Sequence, residues 1–471
     1  MKVILNNIDA LKAEVELIPA QLTVFSGGNN TGKTYAMYLL WALFKRRTRH
    51  VFEFAERFAE QLRAEGNVQI PLQTFCDQHW VTIERGIADG LRKHLPDVFR
   101  APQDMFKEAQ IRLTLNLDQL IEFAKKHKDF KRSIEVGSTG TLDVRLICDE
   151  ENKFSVALTA LGANKLPLSL VAEIVSSLLI DLILSSQIES VFLLPAERGG
   201  LNLFYLDLDA KNSALVRHLK RDDSNPVDLF RDMMVAQYAE PIESYIDFLK
   251  RAPRITKNGG DFHDQALTLQ KEIANVRYKV SKEGVITAKP YKSDAELGIH
   301  LTSSTVKSLY GLWAWLELQA KSGDCLMIDE PELNLHPDNQ RLVARLLVRL
   351  VNRGIKVVIS THSDYIIREL NNMIMLANDF TSRDDLEKKF KYDVNGLERL
   401  SVDKVAAYHF TNKSVMASTV SSEFGIEVKS MDDAINNLNE SNNDIYYALD
   451  ESLHPILESE TIVINDPVSK Q

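Results

Sequence analysis

The stretch "FSGGNNTGKTYAM" (25–37) limits what this chain can fold into more than any other. Gly27, four residues, then Gly32, Lys33 and Thr34 give the spacing G-x-x-x-x-G-K-[ST]. An apolar run, Leu22–Phe25, precedes it and a helical pattern follows from Tyr35, so the spacing predicts strand, loop and helix in that order. Glycines let the backbone N–H groups turn inward around phosphate oxygens. The helix offers its N-terminus to the same anion. Gly27, Gly28, Asn29, Asn30, Thr31, Gly32, Lys33 and Thr34 are therefore the expected cradle of a nucleoside triphosphate. Lys33 would reach the β- and γ-phosphates, and the Thr34 hydroxyl would ligate Mg²⁺. The bland alternative is a glycine-rich turn ahead of a core helix.

A second feature lies some 300 residues downstream. In "SGDCLMIDEPELNLHP" (322–337) a short apolar strand ends in two adjacent acids, Asp329 and Glu330, and Pro331 stops it. An acid at the end of a neighbouring parallel strand suits the Mg²⁺ of a phosphate loop, which assigns Asp329 to metal. Glu330, one residue on, is placed to polarise a water as general base. Read blandly, the pair is a solvated strand end or an acidic first helical turn. In "KVVISTHSDYII" (356–367), His362 follows the next apolar strand, where open parallel sheets bind ligands. Its expected part is a hydrogen bond to the γ-phosphate or to the attacking water.

The remaining pattern sets these motifs in an α/β frame. Alternation over the first 26 residues predicts a hairpin and then the loop strand. Helical periodicity is expected over about 50–130 and 200–275 as insertions, with an antiparallel meander at 131–160 between them. A long helix (166–186), a buried strand (190–198) and a hairpin (277–291) follow, then two strand–helix units carrying the acids and the histidine. Strands alternating with helices predict a mainly parallel sheet. We expect one domain over 1–471, with 373–471 as an α/β extension in which "KVAAYHF" and "VMASTV" are edge strands.

Composition excludes several classes. Cys76, Cys148 and Cys325 lie far apart, with no CxxC pair, and read as buried thiols of a reducing compartment. The acids in "MKVILNNIDALKAEVEL" argue against a signal peptide. Glu173 and Asp181 inside the longest apolar run (166–188) argue for a buried helix over a membrane span. A net charge of −10 opposes indiscriminate coating of nucleic acid. The expectation is a cytoplasmic protein without a membrane partner.

Together the three motifs resemble the ABC-type ATPases, in particular the branch of RecF, the SMC proteins and the OLD-family nucleases. "GGNNTGKT" looks like that branch's Walker A, "IDEPELNLHP" like its Walker B with D-loop, and "ISTHS" like its switch histidine. The resemblance implies a P-loop ATPase head with a mixed, mainly parallel sheet, an antiparallel β-subdomain and helical insertions. It also implies ATP and Mg²⁺ as cofactors. "LTSSTVKSL" (301–309) is similar to the signature sequence, so Ser303 and Ser304 would bind the γ-phosphate held by a second copy in a head-to-head sandwich. "FLLPAERGG" (192–200) stands where a Q-loop is expected; Glu197 would reach the metal through water, and Arg198 would bind phosphate or pair with Glu197.

No segment sustains heptads as an SMC coiled coil would, and no acid cluster outside the ATP site suggests an appended nuclease. What remains resembles the stand-alone ATPases of anti-phage operons (the PARIS AriA or Septu PtuA type). These hold or activate a separate effector, such as a nuclease. The alternative is a RecF-like ATPase acting on DNA in recombination or repair. "FKRRTRH" (44–50) reads as a helix end or a polyanion contact, "WAWLELQ" (313–319) as helix core, and His336 as a D-loop residue at the dimer seam.

Overall fold

The computed structural model describes residues 1–8, 11–45, 50–136, 140–149, 153–162, 166–206, 238–255, 260–412 and 414–453. Most of the basic run at 44–50 and of the "LDLD" at 206–209 lies outside the described residues. The chain divides into two compact units, Met1–Glu427 and Val428–Gln471.

The first unit is built on a six-stranded sheet. Its order is Val415–Ala417, Val405–Phe410, Leu22–Gly27, Lys356–Thr361, Cys325–Asp329, Val191–Leu194. All neighbours run parallel except Val415–Ala417, which returns antiparallel on Val405–Phe410. Strands covered on both faces read as continuous apolar runs. "CLMID" and "VFLL" are accordingly buried at every position. Register brings the C-terminal ends level: Asp329 lies opposite Ser360, Thr361 opposite Ser26 and Gly27 opposite Phe410.

Antiparallel sheets flank this core. Lys2–Asn6 pairs with Val15–Leu17 as the expected hairpin, and with Gln110–Thr114 on its other edge. The meander of Lys131–Val136, Gly140–Cys148 and Phe154–Leu161 also forms, and Asn67–Pro71 adds a fourth strand. The stretch read as helical over 50–130 thus carries two strands besides its helices. Both are five residues long and each alternates in burial, a signal too short to override the helical pattern around it. Val276–Val280 and Ile286–Pro290 pair as the expected hairpin. The fold is α/β with a mixed, mainly parallel sheet, antiparallel β-sheets and intervening helices.

One strand departs from expectation. Val405–Phe410 is interior, paired on both sides, and Val415–Ala417 forms the sheet edge beyond it. Of the described residues, Leu168–Gln187 is the one helix long and apolar enough to cross a membrane, and it is largely buried in the core beside Glu53–Glu65 and Leu117–Lys126. The second unit holds the helix Lys429–Leu453.

A buried ion pair locks the two helices that follow the acid strand and the histidine strand. Glu369, on Asp364–Met375, is 1% exposed. It accepts from Arg345 Nε at 2.5 Å and Arg341 Nε at 2.8 Å, both on Pro337–Asn352. Arg345 further donates to Lys391 O at 2.9 Å and lies 3.8 Å over the Tyr392 ring. Removing one member of such a pair strands the other's charge in the core. Glu369→Ala is therefore expected to destabilise the protein by about 3–5 kcal/mol, seen as a lower unfolding midpoint in denaturant.

Candidate functional site

The phosphate-loop strand ends in a glycine that nothing else can replace. Gly27 has φ 133°, and a Cβ there would lie 2.1 Å from Phe410 O on the adjacent strand. Asn30 (φ 58°) and Gly32 (φ 94°) continue the turn in left-handed conformations. Gly32 then caps the helix Lys33–Phe44 without any side-chain partner, its carbonyl accepting from the Ala36 N–H at 3.0 Å. Thr31 Oγ1 donates to Gly28 O at 2.8 Å and staples the loop. Lys33 Nζ folds over it, donating to Gly27 O at 3.0 Å and Gly28 O at 2.7 Å. Burial lowers the Lys33 pKa, opposed by the charges of Asp329, Glu330 and Glu332.

Asp329 joins the loop to the sheet. Its Oδ2 accepts from Thr34 Oγ1 at 3.1 Å, and its Oδ1 accepts from the Ser360 hydroxyl. This brings the expected metal pair, Thr34 and Asp329, into direct contact. A hydroxyl and a carboxylate are hard oxygen donors of the kind that would suit Mg²⁺. Glu197 is exposed, and no hydrogen bond joins it to either residue, although its charge is felt at Glu330.

Glu330 stands at φ 50°, in the left-handed region. Its N–H donates to Ser360 O at 3.1 Å and to Ser360 Oγ at 3.2 Å. Its carboxylate lies 3.7 Å from His362 Nε2. Burial, and then the Asp329 charge, raise the Glu330 pKa. Burial, and then the Lys33 charge, lower that of His362. A carboxylate whose proton affinity is raised thus faces, at 3.7 Å, an imidazole whose proton affinity is lowered.

Two residues carry roles that the sequence reading did not give them. Arg198 is buried, yet it binds neither Glu197 nor the loop. Its guanidinium donates to Pro195 O at 3.1 Å, Asp329 O at 2.8 Å and Glu330 O at 2.8 Å, clamping the turn on which both acids sit. Glu332 is the second of them. It accepts from Thr361 Oγ1 at 2.9 Å and from the His362 N–H at 2.6 Å, so it fixes the backbone that carries the histidine. The signal available was a third acid two residues past Glu330, across a proline.

Ser303 and Ser304 open the helix Ser304–Leu318 and are exposed. Ser303 Oγ caps it by accepting from Val306 N at 3.3 Å. No hydrogen bond links either serine to the phosphate loop. The helix is tied instead to the segment after Glu330: Thr305 Oγ1 donates to Asn334 O at 2.9 Å and Asn334 Nδ2 to Ser308 Oγ at 3.2 Å. Trp313 and Trp315 are buried in the core. His336 is exposed and caps the helix Pro337–Asn352.

Residues 202–368 match a family model described as "AAA domain, putative AbiEii toxin, Type IV TA system". The matched stretch spans the serine-bearing helix, the acid strand and the histidine strand. No curated protein matches the chain. Among solved structures it is similar to an SMC head bound to the C-terminal winged-helix domain of ScpA, with 13% identity, TM-score 0.37, and coverage of 89% of this chain and 97% of that one. The SMC head domain from Thermotoga maritima matches at 9% identity and TM-score 0.31, covering 89% and 98%. An SMC head with an extended coiled coil, bound to the C-terminal domain of ScpA from Pyrococcus furiosus, matches at 14% and 0.32, covering 94% and 98%. The fold assignment rests on this chain's own strand order and phosphate loop.

The facing pair gives a direct test by NMR titration. The His362 imidazole is expected to titrate below the usual ~6.5 of a free histidine. Lys33→Ala removes the nearby positive charge and should return that pKa part of the way upward, burial accounting for the remainder.

Proposed function

We propose that this chain is a Mg²⁺-dependent ATPase that works as a head-to-head pair. The observation that carries the reading is the Thr34–Asp329 contact. A hydroxyl from the helix behind the phosphate loop and a strand-end carboxylate meet at one point, with Lys33 lying across the loop.

In this reading the backbone from Gly27 to Thr34 binds the triphosphate, and Lys33 swings from the loop carbonyls to the β- and γ-phosphates. Thr34 and Asp329 hold Mg²⁺, which when bound neutralises phosphate charge. Glu197 would contribute through water, reaching in from its exposed position. Glu330 takes the proton of the attacking water, which its raised pKa favours. Neutral His362 orients that water or the γ-phosphate. Positioning and electrostatics supply most of the rate in such sites. Ser303 and Ser304, exposed at a helix N-terminus, fit a phosphate presented by a second copy.

We further assign the cycle to a switch that holds or releases a separate effector, such as a nuclease, in cytoplasmic defence against phage. Support comes from the motif resemblance and from the toxin–antitoxin description attached to the matched family model. Copurification of the neighbouring gene's product, with toxicity that depends on it, is the decisive measurement. Salt-sensitive, ATP-dependent affinity of the isolated chain for duplex DNA would instead establish the RecF-like reading.

Two variants test the chemistry. Glu330→Gln should retain ATP, lose about 10²–10⁴ of the hydrolysis rate and accumulate as a dimer, whereas Lys33→Ala should lose ATP binding itself. In the parent enzyme the raised Glu330 pKa places the acid limb of kcat above the ~4.3 of a free glutamate, because activity falls once the base is protonated. Ser304→Arg should leave nucleotide binding to the single head intact while abolishing ATP-driven association, as read by light scattering.

A further inference from the structure

The second unit contains a pattern that the ATP chemistry does not use. Lys429–Leu453 is a 25-residue helix, and every described residue from Asn436 to Asp450 is exposed. Its large side chains Leu438, Ile445, Tyr446, Tyr447 and Leu449 are 54–69% exposed. Five asparagines fall between Asn436 and Asn443, and asparagine is a poor helix former. An isolated helix of such composition gains little stability by itself. Burial of an apolar stripe against a partner supplies what propensity does not.

The stripe has the period of a coiled coil. Met431, Ile435, Leu438, Asn442, Ile445, Leu449 and Ser452 follow one another at alternating steps of four and three residues. They read as successive d and a positions of a heptad, with Ile435, Asn442 and Leu449 at a. Charge is arranged around that seam. Of the acids in the helix, Asp433, Glu440, Asp444, Asp450 and Glu451 occupy outer b, c or f positions, and only Asp432 borders the seam. The seam's g positions are Ala434, Ser441 and Ala448.

We propose that this helix pairs with the same helix of a second copy as a parallel two-stranded coiled coil. The charge pattern selects that occupant. Two copies of an acidic helix repel when acids flank the seam, and here nearly all face away. A basic partner helix would find almost no seam-side acid to pair with. Asn442 fixes register and strand number: a lone asparagine at a is satisfied by Asn442 of the partner subunit in an in-register parallel dimer. Ile445 at d and Leu449 at a alone lean toward higher orders, and the buried asparagine overrides them at the cost of some stability.

The pairing is independent of the proposed ATP cycle, so it is tested in full-length protein carrying Lys33→Ala, without nucleotide. Light scattering should give a dimer, and Leu438→Asp with Ile445→Asp should convert it to a monomer while circular dichroism of the first unit persists. A second arm leaves the apolar seam residues in place. In a Cys148→Ser background, where Cys76 and Cys325 stay buried, Asn442→Cys should form a disulfide between two copies under mild oxidation. Tyr447→Cys, at an outer f position, should not. A monomeric Lys33→Ala protein overturns the proposal, as does an unchanged mass in the double-aspartate variant. So does a failure of the Asn442→Cys variant to cross-link, or a helix covered only by a different protein. None of these results bears on ATP hydrolysis, which Glu330→Gln tests separately.

Discussion

The site hangs on one carboxylate. Asp329 is 4% exposed, and a buried charge is tolerated only when its lone pairs are satisfied. It meets that need by spanning a strand. The loop strand and the acid strand are not neighbours, because Lys356–Thr361 lies between them. Asp329 accepts from Ser360 on that intervening strand and from Thr34 beyond it. Three elements, one of them 295 residues from the acid, are thereby registered at the C-terminal ends of the strands. Lose the carboxylate, and the phosphate loop, the acid pair and the histidine keep their strands but lose their common reference.

Glu330 shows how the surrounding structure holds an unfavourable backbone. A non-glycine residue in the left-handed region costs roughly 1–2 kcal/mol. Pro331 disfavours the right-handed helical alternative at the residue before it. Ser360 receives the Glu330 N–H, and Arg198 binds its carbonyl, so both polar groups of the strained peptide are fixed. Strain of this kind persists only where the neighbourhood over-determines it. The reward is direction: the carboxylate of Glu330 turns from the strand axis toward His362, whose own backbone is held by Glu332.

The parts of the site legible in the sequence are those whose chemistry is written in consecutive residues. The loop needs its glycines, lysine and threonine side by side, and the acid pair and the histidine each end an apolar run. Arg198 was visible as a residue but not as a clamp, because its partners are backbone carbonyls, which carry no side-chain signature. Glu332 was hidden for a similar reason, since what it binds is an N–H and a hydroxyl on another strand. Val405–Phe410 is interior where an edge was expected, because Val415–Ala417 returns antiparallel on it, a backbone pairing that its side chains do not announce.

The same clamp also joins the two faces of the head. Arg198 grips the Asp329–Glu330 turn, and four residues on, Asn202 Nδ2 donates to Lys307 O at 2.7 Å on the serine-bearing helix. Tyr245 OH closes on Asn202 from behind at 2.7 Å, and Asn334 ties the same helix back to the D-loop. The exposed Ser303–Ser304 end and the half-buried general-base candidate therefore belong to one hydrogen-bonded body with short connections. A partner pressing on the serines cannot move that helix without loading the turn that aims Glu330. Contiguity of this kind supplies the material for coupling, and energetic coupling follows only if the body has a second arrangement. In the proposed head-to-head pair, the groups placed to define one are the main-chain carbonyls of Asp329 and Glu330, which Arg198 holds here.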